Sequence, residues 1–384
     1  MESKNYKYFC SEQFYCIGMK EKFESNSTLI FFVVIIGLVA LGILLSELQS
    51  ILVPFVVASF LFILFSPVNS FLTEKKIPLW IVIVFNIIII TFISFGVIRF
   101  VVDSVLRLSE DLPNYFSKLN SIVRETAIGL GITDPYFKYF SIQKILTKLD
   151  YKALAGGVFN SAFSLVGNIL FLLLFFIFIV SGHKSILAAI RRRYYGDDST
   201  PLVNQPSDFV SAKREKPAEL QLAKTLKTIT EQIQKYIISK ISINLLAGIF
   251  VGFFLFIFKI DFPIMWGLLT FFLNFIPSIG SAIALVLPTL MAIIQFESLS
   301  YTLLIAGGMG FIQTAFFNLL EPQLIGRRLN LNPIAILLSV LIWGYVWGIL
   351  GMLLAVPLTA IIKIIISNSK NQNLRFIADL MSQD

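Results

Sequence analysis

One carboxylate stands out among the side chains that could do chemistry. Glu321 closes an apolar stretch that already carries Gln313 and Asn318, and Pro322 follows it at once. A carboxylate at a membrane boundary is costly unless it is paired or wet. Arg327 and Arg328, one to two turns further on, are the nearest basic partners in sequence. The chemistry open to such a group is ion pairing at a helix end or the carrying of a proton or cation. Asn274 and Asn332 add two amides beside proline-broken segments, where they suit a polar solute; a turn role before Pro333 is the competing reading for Asn332. Nucleophilic catalysis lacks its parts. The single histidine, His183, lies beside Lys184 at the end of an apolar run, and no His-Glu-x-x-His or Ser–His pattern occurs. Cys10 and Cys16 sit alone in the N-terminal tail and read as free thiols. No metal set and no cofactor is implied.

The surroundings of these residues are apolar. Of 384 residues, 57% are hydrophobic and 14% charged, with 38 Phe, whereas soluble domains hold roughly 25% charged residues. Several apolar runs exceed the ~18–20 residues that cross a bilayer as a helix. The composition predicts an all-α, polytopic membrane protein. The net charge of +8 does not point to nucleic acid, because the basic residues fall between the apolar runs, where topology explains them. No nucleotide-binding motif appears, so the chain is not an ATPase by itself.

The chain divides as follows. Residues 1–27 form a mixed-charge tail in which Met19 is a second candidate start, and 28–101 hold three spans. Residues 102–155 are more polar, with apolar stripes at Leu112, Phe116, Leu119 and Val123 and again at Ile142, Ile145, Leu146 and Leu149. These spacings predict two amphipathic surface helices, separated at "AIGLGITDP". Residues 156–182 make a fourth span, whose Asn160, Ser161, Ser164 and Asn168 share one face and suit interhelical packing or a polar path. Residues 183–237 are a charged linker running into an amphipathic helix striped by Leu222, Leu226, Ile229, Ile233 and Ile237. That helix continues into a fifth span containing Gly248-x-x-x-Gly252, a spacing that permits close packing. Residues 238–367 form the C-terminal membrane region and 368–384 a tail. The Arg191–Arg193 cluster beside the fourth span places 183–237 and both termini in the cytoplasm and 102–155 outside.

Two segments of the C-terminal region are too long to cross once. Residues 262–295 would make a straight helix of about 51 Å, against a hydrocarbon core of about 30 Å. Pro277 and Gly280 fall near its middle. Residues 333–367 repeat the pattern, with the break at 344–351. In each, the break glycine is followed by an apolar run and another proline: Gly280 to Pro288, Gly351 to Pro357. Proline removes a backbone donor, and glycine tolerates a reversal. The reading is two broken, re-entrant-like helical hairpins separated by a plain span at about 301–320, giving about eight transmembrane segments in all. The first break also fits a cytoplasmic turn between two short full spans. Irregular backbone at membrane depth is tolerated only where protein buries it or a wet cavity meets it, and paired breaks point to a transport site.

The motifs "NFIPSIG" (274–280) and "EPQLIGRRLNLNPIAILLSVLIWGYVWGILGMLLAVPLTAIIK" (321–363) resemble the autoinducer-2 exporter family of bacterial permeases, also called PerM-like. The match covers about the last 150 residues; Ser281 stands where that family often has proline. The resemblance implies an inner-membrane, multi-pass, secondary-type permease that exports a small solute, a quorum-signal-like molecule among the candidates. The alternative within the same family is a sodium/proton antiporter coupled through Glu321. A channel or an intramembrane enzyme fits less well. Partners implied are the lipid bilayer, a small-molecule or ion substrate and further copies of the chain in a homo-oligomer, a pentamer being one such assembly. The residues expected along the substrate path or gate are Asn274, Pro277, Gly280, Glu321, Asn332, Pro333, Gly348, Gly351 and Pro357, with Glu321, Arg327 and Arg328 in ion pairing.

Overall fold

A computed structural model describes residues 27–132, 134, 137, 139–142, 167–182, 217–325, 329–369 and 371–382. His183, both cysteines, the linker to 216, Asn160, Ser161, Ser164 and the 143–149 stripe lie outside the described residues, as do Arg327 and Arg328. The chain separates into a unit ending at Gln49, which contains α1 (Ser27–Glu47), and a second, Ser50–Asp384.

The second unit is built from helices. α2 (Gln49–Glu74) is followed by α3 (Leu79–Gly129), and Gly167–Gly182 forms α4. The three share a core of Ala58, Ile90, Phe176 and Val180. Inside it, the Asn86 amide donates to Asn69 Oδ1 at 2.7 Å, an interhelical bond of the kind that holds membrane helices together. α3 differs from the expectation for 102–155. The third span and the first amphipathic helix are one helix of 51 residues, about 77 Å long, with Pro113 inside it. The polar residues beyond 101 change which surroundings the helix meets without breaking its backbone. The break foreseen at "AIGLGITDP" is present: α3 stops at Gly129, and Gly131 adopts φ +70°.

α5 (Pro217–Ile257) joins the amphipathic stripe and the fifth span without interruption. Ile233 is fully buried, and Ile229 and Ile237 pack beside it. α6 (Pro263–Leu273) and α7 (Ile279–Phe296) flank the first break. α8 (Leu299–Gln313) runs through a π-helical stretch, Thr314–Leu320, into a last α turn, Glu321–Ile325. The π turn has a local cause: in an α-helix the Pro322 ring would strike the carbonyl four residues back, and a wider turn moves that carbonyl away. α9 (Pro333–Ser367) contains the second break, and α10 (Gln372–Leu380) ends the described chain.

Six helices among the described residues are long and apolar enough to cross a membrane, compared with the eight segments expected. Three further described stretches are apolar and shorter, Phe32–Glu47, Gly167–Gly182 and Pro263–Leu273; the last, α6, has 11 residues, about 16 Å.

α5 and α8 lie antiparallel. At one end Tyr301 donates its hydroxyl to the Phe258 carbonyl (2.8 Å); at the other, Lys240 meets Glu321 (2.6 Å). Each is followed by a broken segment that starts where its own helix ends. The limbs of the first segment return to a common level, because the Asp261 amide before α6 donates to Gln295 Oε1 near the end of α7 (2.9 Å). In the second, Lys363 near the end of α9 donates to the Asn330 carbonyl just before its start.

Candidate functional site

Both breaks fall where the sequence placed them. The first covers Asn274–Ser278, between α6 and α7. A helix leaves its last four carbonyls in need of partners. Here each finds one, within the broken segment or from α5. Thr270 O accepts from the Asn274 backbone (3.1 Å) and side-chain amide (2.8 Å), and Phe271 O from the Asn244 amide of α5 (3.2 Å). Phe272 O accepts from the Phe275 amide (3.2 Å) and Leu273 O from that of Ile276 (2.8 Å). Asn274 therefore spends its amide group on its own helix end. Gly280 is required by proximity: a Cβ there would lie 1.7 Å from Leu273 O. Ser278 holds φ +62°, an unfavourable value for a residue with a side chain, at the reversal after Pro277.

The second break lies within α9, at Trp347 and Gly348; Gly348 has φ +62° and ψ −142°, a conformation open to glycine. The chain turns back on itself there. Trp343 Nε1 donates to Thr359 Oγ1 at 3.1 Å, although a straight helix would separate those residues by about 24 Å. Gly351 repeats the role of Gly280, since a Cβ on it would lie 1.9 Å from Trp343 O. Pro357 is buried in the returning limb. The first break packs on the second hairpin: Ile276 lies with Val340 and Ala355, one from each limb and each seven residues from the turn at Trp347 and Gly348, beside Trp343 and Met352.

Beside this junction α5 presents Lys240, Asn244, Gly248 and Gly252 at intervals of four, one face of the helix. Gly248 and Gly252 admit the backbone of Gly267 in α6, whose own Cβ would lie 2.6 Å from Gly248 O, so the small-residue spacing serves close packing. Lys240 is 2% exposed. Its Nζ sits 2.6 Å from Glu321 Oε1 and 5.4 Å from the Phe317 ring. The structure pairs Glu321 with Lys240, 81 positions earlier in the chain; Arg327 and Arg328, the partners the sequence suggested, lie outside the described residues. An amine so buried without a counter-charge would carry a penalty of several kcal/mol, on the order of the ion desolvation cost, and the Glu321 carboxylate offsets part of it.

Two buried amides complete this region: Asn244, which the sequence reading passed over, and Gln313, which it noted only as a polar residue of the span before Glu321. Asn244 is fully buried, and its Oδ1 has no hydrogen-bond partner; Gln313, at the start of the π stretch, has none for either amide atom. The available signal was the four-residue spacing of Lys240, Asn244, Gly248 and Gly252. Asn332 is the cap of α9: its Oδ1 accepts from the Ala335 amide and its Nδ2 donates to Leu380 O, each at 2.6 Å. With Pro333 at the first helical position it forms a helix start. Asn332 thus ties the C-terminal helix α10 to the mouth of the second broken segment.

Apolar helices in this number, with buried backbone breaks and an internal ion pair, define a multi-pass membrane protein of the transporter kind. The comparisons give the family. The chain belongs to the AI-2E transporter family, whose model matches residues 29–371. It is similar to the AI-2 transport protein TqsA of Escherichia coli, 25% identical over 327 residues that cover 82% of this chain and 85% of that protein. A protein of Haemophilus influenzae named as a transport protein is 24% identical over 345 residues, 88% of this chain and 93% of that one. Another so named, from Borreliella burgdorferi, is 40% identical over 154 residues, 40% of this chain and 42% of its own length.

Proposed function

We propose that the chain is a secondary-type permease that exports a small solute across a bacterial inner membrane. Both termini and residues 183–237 face the cytoplasm, and two helical hairpins enter from opposite faces to meet near mid-membrane. The observation that carries this reading is the packing of the first break between the limbs of the second hairpin, at Ile276, Val340 and Ala355. Hairpins that pack on each other inside the bilayer bring half-helix ends and irregular backbone to the midplane, the usual place of a transporter's site. The bond between Asp261 and Gln295 supports entry and exit of the first hairpin on one side. So does the length of α6, too short to span.

In this reading Gly280, Gly348 and Gly351 are the turning points, Pro277 and Pro357 fix the limbs, and Asn332 with Pro333 anchors the inner mouth. Asn274 closes the end of α6. Lys240 and Glu321 hold α5 to α8 and part during the transport cycle, with Arg327 and Arg328 as alternative partners for the carboxylate. A quorum-signal-like cargo is the candidate that the Escherichia coli relative's name suggests. The chain works as a homo-oligomer in the lipid bilayer, has no nucleic-acid partner and carries out no catalysis of its own.

The buried ion pair favours a second reading, a sodium/proton antiporter, because a carboxylate with a built-in ammonium partner can exchange that partner for a cation. Reconstituted vesicles separate the two. A pH or sodium gradient that drives efflux of an organic solute supports the permease; collapse of a pH gradient on adding sodium alone supports the antiporter. No flux under either gradient, with the protein shown to be folded and inserted, would defeat both.

A further inference from the structure

Two cavities adjoin where α3 crosses the open end of the first broken segment, and their chemistry differs. The larger, about 560 Å³, is lined by Asp111, Asn114 and Lys118 of α3 and by Asp261 and Phe262 before α6. The smaller, about 190 Å³, is apolar, with Leu112 and Phe116 of α3, Trp266 of α6 and Leu290 of α7 among its walls. Tyr115 lines both. Helical spacing produces this division. Leu108, Leu112, Phe116 and Leu119 recur every three or four residues on one flank of α3, and Asp111, Asn114 and Lys118 do so on the next.

The walls are fixed by hydrogen bonds. The Tyr115 hydroxyl donates to Asp261 Oδ2 (2.8 Å), and the Gln295 amide donates to Asp261 Oδ1 (3.2 Å). Lys118 Nζ donates to the Gln295 carbonyl (3.1 Å), and Trp266 Nε1 to the Asp261 carbonyl (2.9 Å). A site held in place this way loses little freedom on binding. The charges are of both signs, with carboxylates on Asp111 and Asp261 and an ammonium on Lys118. An amine fits the first two and a phosphate the third. Leu290 is 49% exposed, so the apolar slot reaches the outer surface of α7, where hydrocarbon would lie.

We propose that the joined cavities bind a phospholipid with a primary ammonium headgroup: its amine on Asp111 and Asp261, its phosphate on Lys118, and the first methylenes of one acyl chain in the slot beneath Trp266. A primary ammonium offers N–H donors to both carboxylates, which a quaternary amine cannot do, and a glycerol headgroup brings no positive charge. The site is independent of the transport reading, because binding is measured without flux.

Native mass spectrometry of the full chain, with phosphatidylethanolamine, phosphatidylcholine and phosphatidylglycerol supplied in equal amounts, tests it. The ethanolamine lipid should be retained about tenfold over the other two, the size of one charge-assisted contact. Asp111→Asn should abolish that preference. Lys118→Gln should lower retention of all three lipids while leaving the order unchanged. Equal retention by the wild type, or an unchanged preference in Asp111→Asn, overturns the proposal. So does unaltered retention in Lys118→Gln, a second variant that serves if the first does not fold. Soluble phosphoethanolamine should not be retained; if it bound as well as the lipid, the site would serve a water-soluble solute and the acyl slot would play no part.

Discussion

The Lys240–Glu321 pair makes an asymmetric prediction. The Lys240 side chain is 3% exposed and that of Glu321 24%. Removing one member of a buried pair is costly mainly because of the charge left behind. Glu321→Gln keeps the shape but strands an ammonium away from water, so it should destabilise by about 3–5 kcal/mol. Lys240→Met removes the ammonium and leaves a carboxylate that water can reach, so its cost should be smaller, about 1–3 kcal/mol. The double variant strands nothing and should lie within about 1 kcal/mol of wild type, because replacing a whole buried pair is often close to neutral. The assay is thermal unfolding of the purified protein in lipid nanodiscs, followed by tryptophan fluorescence. A loss of 1 kcal/mol corresponds to a shift of roughly 2 °C in a chain of this size, which puts Glu321→Gln about 6–10 °C below wild type on the same conversion. High salt should change these differences little, since a buried pair is weakly screened. If Lys240→Met falls further than Glu321→Gln, or the double variant loses the sum of both, the reasoning from burial is wrong.

Gly280→Ala and Gly351→Ala drive a Cβ to 1.7 and 1.9 Å from carbonyl oxygens of the same hairpin; both should fail to give a monodisperse protein in size-exclusion chromatography. Gly307→Ala, with nothing within 4 Å, should behave as wild type. Trp343→Phe and Thr359→Val each delete the bond that closes the second hairpin and should each cost about 1 kcal/mol in thermal unfolding; the combination should cost no more than either alone if that bond is the shared cause. A cysteine introduced in "NQPSD" (204–208) should resist a membrane-impermeant maleimide in intact cells, whereas one at Arg124 should react; the reverse pattern would invert the topology.

The breaks were legible because they are written in local chemistry. Proline and glycine restrict or free the backbone at their own positions, so Pro277, Gly280 and Gly351 declare a reversal without reference to the rest of the chain. Asn332-Pro333 declares a helix start in the same way. The partner of Glu321 was not legible for the opposite reason. Ion pairing depends on which helices are neighbours, and a lysine 81 positions away carries no local mark of its target. Lys240 reads as one more basic residue at the edge of a charged linker, and only its four-residue phase with Asn244, Gly248 and Gly252 hints at a packed face. The continuity of α3 was obscured by a change of polarity at Asp103 and by Pro113, since a switch from apolar to polar neighbours looks the same in sequence whether or not the helix continues.

The order of elements accounts for why these residues converge. α5 is followed by a broken segment whose limbs meet at Asp261 and Gln295, and α8 by one whose limbs meet at Asn330 and Lys363. Because α5 and α8 are antiparallel, the second span-plus-hairpin unit is turned end for end with respect to the first. Each unit carries a break glycine pressed on a carbonyl seven or eight residues earlier, Gly280 on Leu273 and Gly351 on Trp343. Each carries a buried proline in the returning limb, Pro288 and Pro357. Two units inverted in this way bring their hairpins toward each other from opposite ends, and Ile276 against Val340 and Ala355 is where the first break packs on the limbs of the second hairpin. The ion pair joins the start of the apolar part of α5 to the end of α8, away from the mouth of the first hairpin and next to that of the second. A change in that pair would therefore alter the angle between the two units at one end while the Tyr301–Phe258 bond held the other. Rocking of inverted units about a shared midplane is the movement known for such arrangements, and under the proposed function the Lys240–Glu321 pair is the contact such a movement would have to strain or break.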